Sequence, residues 1–279
     1  MYKRIEGITL IELLIAAAIS LVILALVFQG ITGGSSSTRV IQGQYQVTEE
    51  LRNAGGYIAD TIAQAAYIYP PGVSITLGSS SLNTYTVTRP PGGTGSSTTW
   101  VVGTDPIFAA LLPPRVNSTA SCSSTNPDRC LSFVAFYALQ RSNVVANAPV
   151  NANPGADTND VNTWMIAKYE CIIDGSSGGA CGGSAQSYVP DTVPNSFSGS
   201  YGQMVADYIS PTNWSVSYRC AKDSHGDVTM NSDCGTASLD KNSSAARVSL
   251  SMSSSVLRQG KSISTGALTF QMAGRNLVF

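Results

Sequence analysis

From Leu13 to Phe28 every residue is Ala, Val, Ile, Leu or Phe, with Ser20 the sole exception, and no charged side chain occurs between Leu13 and Thr38. A helix rises about 1.5 Å per residue, so residues 8–31 are long enough to cross a hydrocarbon core about 30 Å thick. Lys3 and Arg4 precede the run and predict a cytoplasmic N-terminal side, with the body of the chain outside. A cleaved secretory signal fits poorly: its apolar core is shorter, and no convincing Ala-x-Ala cleavage site follows Phe28. A plain signal anchor fits the hydropathy but gives no reason for Glu12, a carboxylate costing about 2–3 kcal/mol inside an apolar segment.

The body agrees with export. Only 12% of the 279 residues are charged, against about 25% in an ordinary soluble domain, and Ser, Thr, Asn and Gly supply the polar surface instead. A formal net charge of −1 gives no electrostatic reason for bulk nucleic-acid binding. Six cysteines fall into three local couples, Cys122/Cys130, Cys171/Cys181 and Cys220/Cys234. Six cysteines allow about 15 pairings, of which the three local ones are expected. Structural metal is the weaker reading, because there is no Cys-x-x-Cys and the single histidine is His225. Disulfides imply an oxidising compartment.

Gly7-Ile8-Thr9-Leu10-Ile11-Glu12-Leu13 resembles the processing motif of type IV prepilins and of type II secretion pseudopilins. The resemblance implies cleavage after Gly7 by a membrane prepilin peptidase, which then methylates the new N-terminal amine of Ile8. It also implies that Glu12, the fifth mature residue, neutralises the N-terminal amine of a neighbouring subunit. Each of those charges is expensive alone in lipid or in a packed fibre core, and pairing offsets much of the desolvation. Family members more often carry Phe or Met where this chain has Ile8.

Beyond the span, Gly30, Gly33 and Gly34 predict a pliable stretch, since each weakens a helix by about 1 kcal/mol relative to alanine. Helical periodicity resumes through Ile41, Tyr45, Thr48, Leu51, Gly55, Ile58, Ile62, Ala65 and Tyr69, until Pro70-Pro71-Gly72 stops it. A helix from about Thr9 to Tyr69 with a weak middle is therefore expected. Alternation predicts strands at Tyr85/Val87, Trp214–Cys220, Val248–Met252 and Leu268–Met272, and the apolar runs Leu131–Leu139 and Trp164–Ile173 suit inner strands. Pro90–Thr99 and Asn143–Asn162 read as long polar loops. The expected architecture is α+β: a long N-terminal helix, membrane-spanning in its first half, on a mostly antiparallel sheet with disulfide-tied loops. Residues 1–7 form the leader, 8–31 the transmembrane and assembly helix, 32–69 its continuation, and 72–279 an extracytoplasmic β-rich domain. The step Asn53-Ala54-Gly55-Gly56-Tyr57 and the ending Phe270–Leu277 are similar to PilW-type minor pilins, with the large J-type pseudopilins as close cousins.

Other candidate sites are weaker. Asp223-Ser-His225-Gly-Asp227 reads as a solvated loop rather than a metal site, and Asp157-x-Asn159-Asp160 lacks the glycine and distal glutamate of a calcium loop. There is no Gly-x-Ser-x-Gly and no phosphate loop, so no catalytic residue and no cofactor are expected. Asn117, Asn213 and Asn242 begin glycosylation-type triplets of little weight in so Asn/Ser/Thr-rich a chain. From Lys241 onward come Lys241, Arg247, Arg258, Lys261 and Arg275 with no acidic side chain, a patch for DNA or an acidic subunit, or simply a basic sheet face. The leading expectation is a non-enzymatic minor pilin of a type IV pilus, held in the inner membrane before entering the fibre. Its expected partners are prepilin peptidase, other pilins through the N-terminal helix, and the inner-membrane assembly platform. A J-type pseudopilin and a tip adhesin or DNA-binding subunit are the alternatives.

Overall fold

A computed structural model describes residues 10–78, 85–89, 97–116, 121–175, 181, 184–198, 202–221, 228–230, 239, 244–258 and 261–274, with backbone alone at 32–37, 39, 220–221, 228–230, 258 and 261. In chain order the elements are α1 (Leu10–Ala63), β1 (Tyr67–Ile68), β2 (Ser74–Gly78), β3 (Thr99–Val101), β4 (Ile107–Leu112) and β5 (Ser132–Gln140). There follow α2 (Arg141–Asn147), β6 (Trp164–Ile172), β7 (Ser196–Ser198), β8 (Gln203–Ile209) and β9 (Ser215–Ala221). The last are β10 (Val228–Met230), β11 (Ala245–Met252), β12 (Ser255–Arg258), β13 (Lys261–Ser264) and β14 (Leu268–Ala273). The chain divides into two compact units, 1–46 and 47–279.

The α+β class is as expected, with a long apolar N-terminal helix, mostly antiparallel strands and two disulfides among the described residues. The helix runs on through Gly30, Gly33 and Gly34, within the span expected of it. It ends at Ala63 rather than near Tyr69. Gln64 and Ala65 make the short i→i+3 bonds of a closing turn, to Thr61 and Ile62, and the Ala66 N–H is then captured by the Leu111 carbonyl at 2.8 Å. Tyr67 and Ile68 pair with Leu111 and Ala110 and are almost wholly buried. Aromatic and β-branched residues gain more from that sheet than from another helical turn.

Among the described residues the strands form four sheets rather than one: β1-β4-β5-β6-β8, β10-β9-β11-β14, β3-β2-β7 and the hairpin β12-β13, with β2 and β7 paired in parallel. β5 is buried on both faces, as its unbroken apolar run predicts, because it lies between layers. On one face Phe136 meets Tyr57 of α1, edge to face at 6.2 Å. On the other, Tyr137 meets Trp100 of β3 at 5.4 Å and Phe133 stacks on Phe197 of β7. The β9-β11-β14 sheet alternates: Tyr218, Val248, Leu250 and Met272 are buried, while Arg219, Arg247 and Gln271 are exposed. Tyr85 and Val87 are buried but form no strand. Their segment is held by side-chain bonds instead, the Trp100 indole donating to the Val87 carbonyl and the Tyr85 hydroxyl to the Ala152 carbonyl. The expected loop 143–162 begins inside α2.

Candidate functional site

Leu10–Ile31 is a helical segment of 22 residues, long and apolar enough to cross a membrane, and none of it is buried within the chain. Leu10, Ile11, Leu13 and Leu14 are all more than 60% exposed. The one hydroxyl in the run is satisfied internally, Ser20 donating to the Ala16 carbonyl. Glu12 is exposed in the first turn of α1, where the helix dipole favours an anion. Gly7 and Ile8 lie outside the described residues.

Within the 47–279 unit the buried helix stripe is Val47, Leu51, Ala54, Gly55, Ile58 and Ile62. Gly55 is a point of close approach: a Cβ there would overlap the Phe270 ring of β14. Lys168 of β6, nearly buried, ties the helix down. Its ammonium donates to the Tyr57 hydroxyl at 2.9 Å and pairs with Glu170. Burial disfavours the charge, but Glu170 and Tyr57 outweigh it and raise the Lys168 pKa.

The strongest charge cluster surrounds Arg141, which is 1% exposed. Its Nε lies 3.0 Å from Asp207, its Nη1 pairs with Asp160 and lies 3.5 Å from Asp157, and its guanidinium sits 4.6 Å over the Tyr208 ring. The Tyr208 hydroxyl donates to Asp157 at 2.6 Å, and Tyr208 itself holds φ at 55°. Desolvation alone would weaken the arginine's charge, yet Asp207 raises its pKa above the ordinary value. Burial pushes Asp207 up and pushes Tyr208 to about 12. Asp157 falls below the ordinary carboxylate range, because the Tyr208 hydroxyl, the Asn159 N–H and Arg141 together outweigh its burial. The Asp157–Asp160 oxygens therefore serve an internal arginine, and Asn159 brackets Leu257 of β12 with two amide bonds. The sequence marked Asp157 and Asp160 but neither Arg141, 19 residues before Asp160, nor Asp207, 66 residues from that arginine.

Among the described residues no group of three or more His, Cys, Asp or Glu is placed to hold a metal ion. Asp223, His225 and Asp227 lie outside them, as do Lys241, Arg275, Asn117 and Asn242. Cys122–Cys130 and Cys171–Cys181 are disulfides with Cα separations of 4.8 and 5.2 Å. Cys234, and with it the Cys220 pairing, lies outside the described residues. Of the basic tail, Arg247 is exposed and stands directly opposite Arg219 across the β11/β9 ladder.

Residues 2–28 match the family model for the prokaryotic N-terminal methylation motif. No curated protein and no solved structure matches the chain. The motif implies processing by a prepilin peptidase and association with other pilins, and with the apolar helix it implies membrane anchoring. With this motif heading a membrane-length helix, the N-terminal part of the chain is similar to that of type IV pilins and pseudopilins.

Proposed function

We propose that the chain is a minor pilin of a type IV pilus, cut after Gly7, methylated at Ile8, and incorporated near the tip to help start assembly. The observation that carries this is Glu12, a carboxylate one turn into an exposed apolar helix, five residues after Gly7. Such a group is stable in lipid or in a fibre core only against a cation, and a neighbour's N-terminal amine is the cation the motif supplies. The positive leader keeps the N-terminus cytoplasmic and the disulfide-bonded body outside. The PilW-type step Asn53–Tyr57 and the size of the body favour a low-abundance subunit over the bulk of a fibre. Quantitative mass spectrometry of sheared fibres tests this: the chain is expected well below the main subunit, beginning at methylated Ile8. Equal stoichiometry overturns the minor role, and an intact leader overturns the pilin reading itself. A J-type pseudopilin differs only in the machinery it serves, and the genes beside it decide between the two.

One observation favours a second role. Arg219 and Arg247 face each other across strands, where like charges destabilise by a few tenths of a kcal/mol or more, and Ser217, Ser249 and Gln271 surround them. That exposed face suits a polyanion such as DNA. Salt-dependent binding of duplex DNA, abolished in an Arg219→Glu/Arg247→Glu variant, is the expected result if the role is real.

A further inference from the structure

The β9-β11-β14 sheet buries Tyr218, Val248, Leu250 and Met272 on one face and carries its arginines on the other. Strand alternation and register sort that second face into rows. Arg219 and Arg247 oppose each other in the first row, and Ser217, Ser249 and Gln271 fill the second. The third row is Ser215, Ser251 and Thr269. Across the first two rows lies a depression of about 120 Å³. The half-buried Ser217 and Ser249 form its floor, and the long, exposed Arg219, Arg247 and Gln271 form its rim. Every polar side chain lining it can donate a hydrogen bond, and none is a carboxylate. Donors gathered around two positive charges are complementary to an oxyanion. Water takes about 30 Å³ in the liquid, so the space is that of roughly four waters, enough for one carboxylate or phosphate group.

The third row decides what carries that group. It is neutral, with hydroxyls that both donate and accept, about 7 Å along the strands from the second row. A nucleic-acid backbone would meet no further cation in that row, and unpaired bases no aromatic ring to stack on. A peptide would find no open ladder at the centre of the face, because β11 is paired on both sides. Hydroxyls of a sugar match this row. We propose that the face binds an acidic sugar. Its one carboxylate or phosphate sits between Arg219 and Arg247 above Ser217 and Ser249, and its neutral hydroxyls lie along Ser215, Ser251 and Thr269. The proposal rests on the anion-binding reading of this face given above and goes beyond it in naming a ligand with one charge rather than many.

The affinities of the full chain for sialyllactose and for glucose phosphate test it, in a detergent without a sugar headgroup. Lactose and glucose serve as neutral counterparts, with inorganic phosphate and a short duplex DNA alongside. At least one acidic sugar is expected to bind about tenfold tighter than its neutral counterpart and than inorganic phosphate, since hydrogen bonds to a charged group are the stronger ones. Which of the two binds separates carboxylate from phosphate. Arg247→Gln keeps length and removes charge at an exposed position, and is expected to lower that affinity about tenfold. A Ser251→Ala/Thr269→Val variant is expected to weaken the acidic sugar and leave inorganic phosphate unchanged. Undiminished sugar binding by either variant, folded by circular dichroism, overturns the proposal, as does equal affinity for acidic and neutral sugars. Inorganic phosphate bound as tightly as the acidic sugars overturns the sugar and leaves an oxyanion site. DNA bound without either sugar overturns the proposal and leaves the anion-binding reading standing, whereas no binding of any probe overturns both.

Discussion

Arg141 shows how a single side chain can organise several loops. It draws Asp157, Asp160 and Asp207 together and carries Tyr208 on its face. Replacing it with methionine keeps much of the volume but leaves buried carboxylates without their cation, a loss expected at about 3–5 kcal/mol. Chemical denaturation of the full chain in detergent checks this, and a loss below about 1 kcal/mol would show the cluster to be ornamental. At the other end of the chain, Glu12→Leu makes the span more apolar, so insertion and cleavage are expected to proceed normally. If Glu12 pairs as proposed, the neighbour's amine is left without its anion, and the mature protein is expected to accumulate in the membrane and be missing from sheared fibres. Normal incorporation would instead favour a true tip position, with no subunit above.

At the scale of elements, α1 is fixed on its domain by close approach and by one buried ammonium. Gly55→Ala brings two opposed effects: about 1 kcal/mol gained in helix propensity and about 1–3 kcal/mol lost by overpacking against Phe270. The Phe270 ring is half-buried and stiff, so the loss is expected to win. In a Phe270→Ala background the sign is expected to reverse, and a double-mutant cycle measures the difference. The helix terminus carries the clearer lesson. Pro70 and Pro71 do forbid further helix, yet the chain leaves the helix earlier, where Leu111 offers its carbonyl to Ala66. A partner more than forty residues away set the boundary, which helical periodicity has no means to register.

For the whole molecule, buried ionisable groups point to one pH limit. Burial raises the pKa of Tyr137, Tyr169 and Tyr218, and Glu170 and Tyr57 raise that of Lys168 despite its burial. The unfolded state therefore loses these protons first. Stability is full below the ordinary tyrosine value near 10 and falls as pH rises from there through the raised folded values. Cooperative alkaline unfolding is expected, with a step in tyrosinate absorbance coincident with the loss of circular dichroism; full tyrosinate absorbance reached before that loss would refute the linkage. The local disulfides add about 2–3 kcal/mol each in the chain-entropy account. Non-reducing peptide mapping is expected to recover Cys122–Cys130 and Cys171–Cys181, and to decide whether Cys220 pairs with Cys234.

The amino-acid order alone determined the apolar helix, the motif with Glu12, the α+β class and the inner strands Leu131–Leu139 and Trp164–Ile173, because each is a local pattern of one residue type at one period. It also marked Cys122/Cys130 and Cys171/Cys181 by proximity. Only the tertiary structure decided that the strands split into four sheets, that Tyr85 and Val87 are buried without a strand, and that Asp157 and Asp160 serve Arg141. It alone placed β8 at a sheet edge beside α1. Those outcomes depend on which distant backbone groups and charges meet. That is set by the free energy of burying the whole core, where a carbonyl at Leu111 or a guanidinium at Arg141 outweighs the preference of the segment it meets.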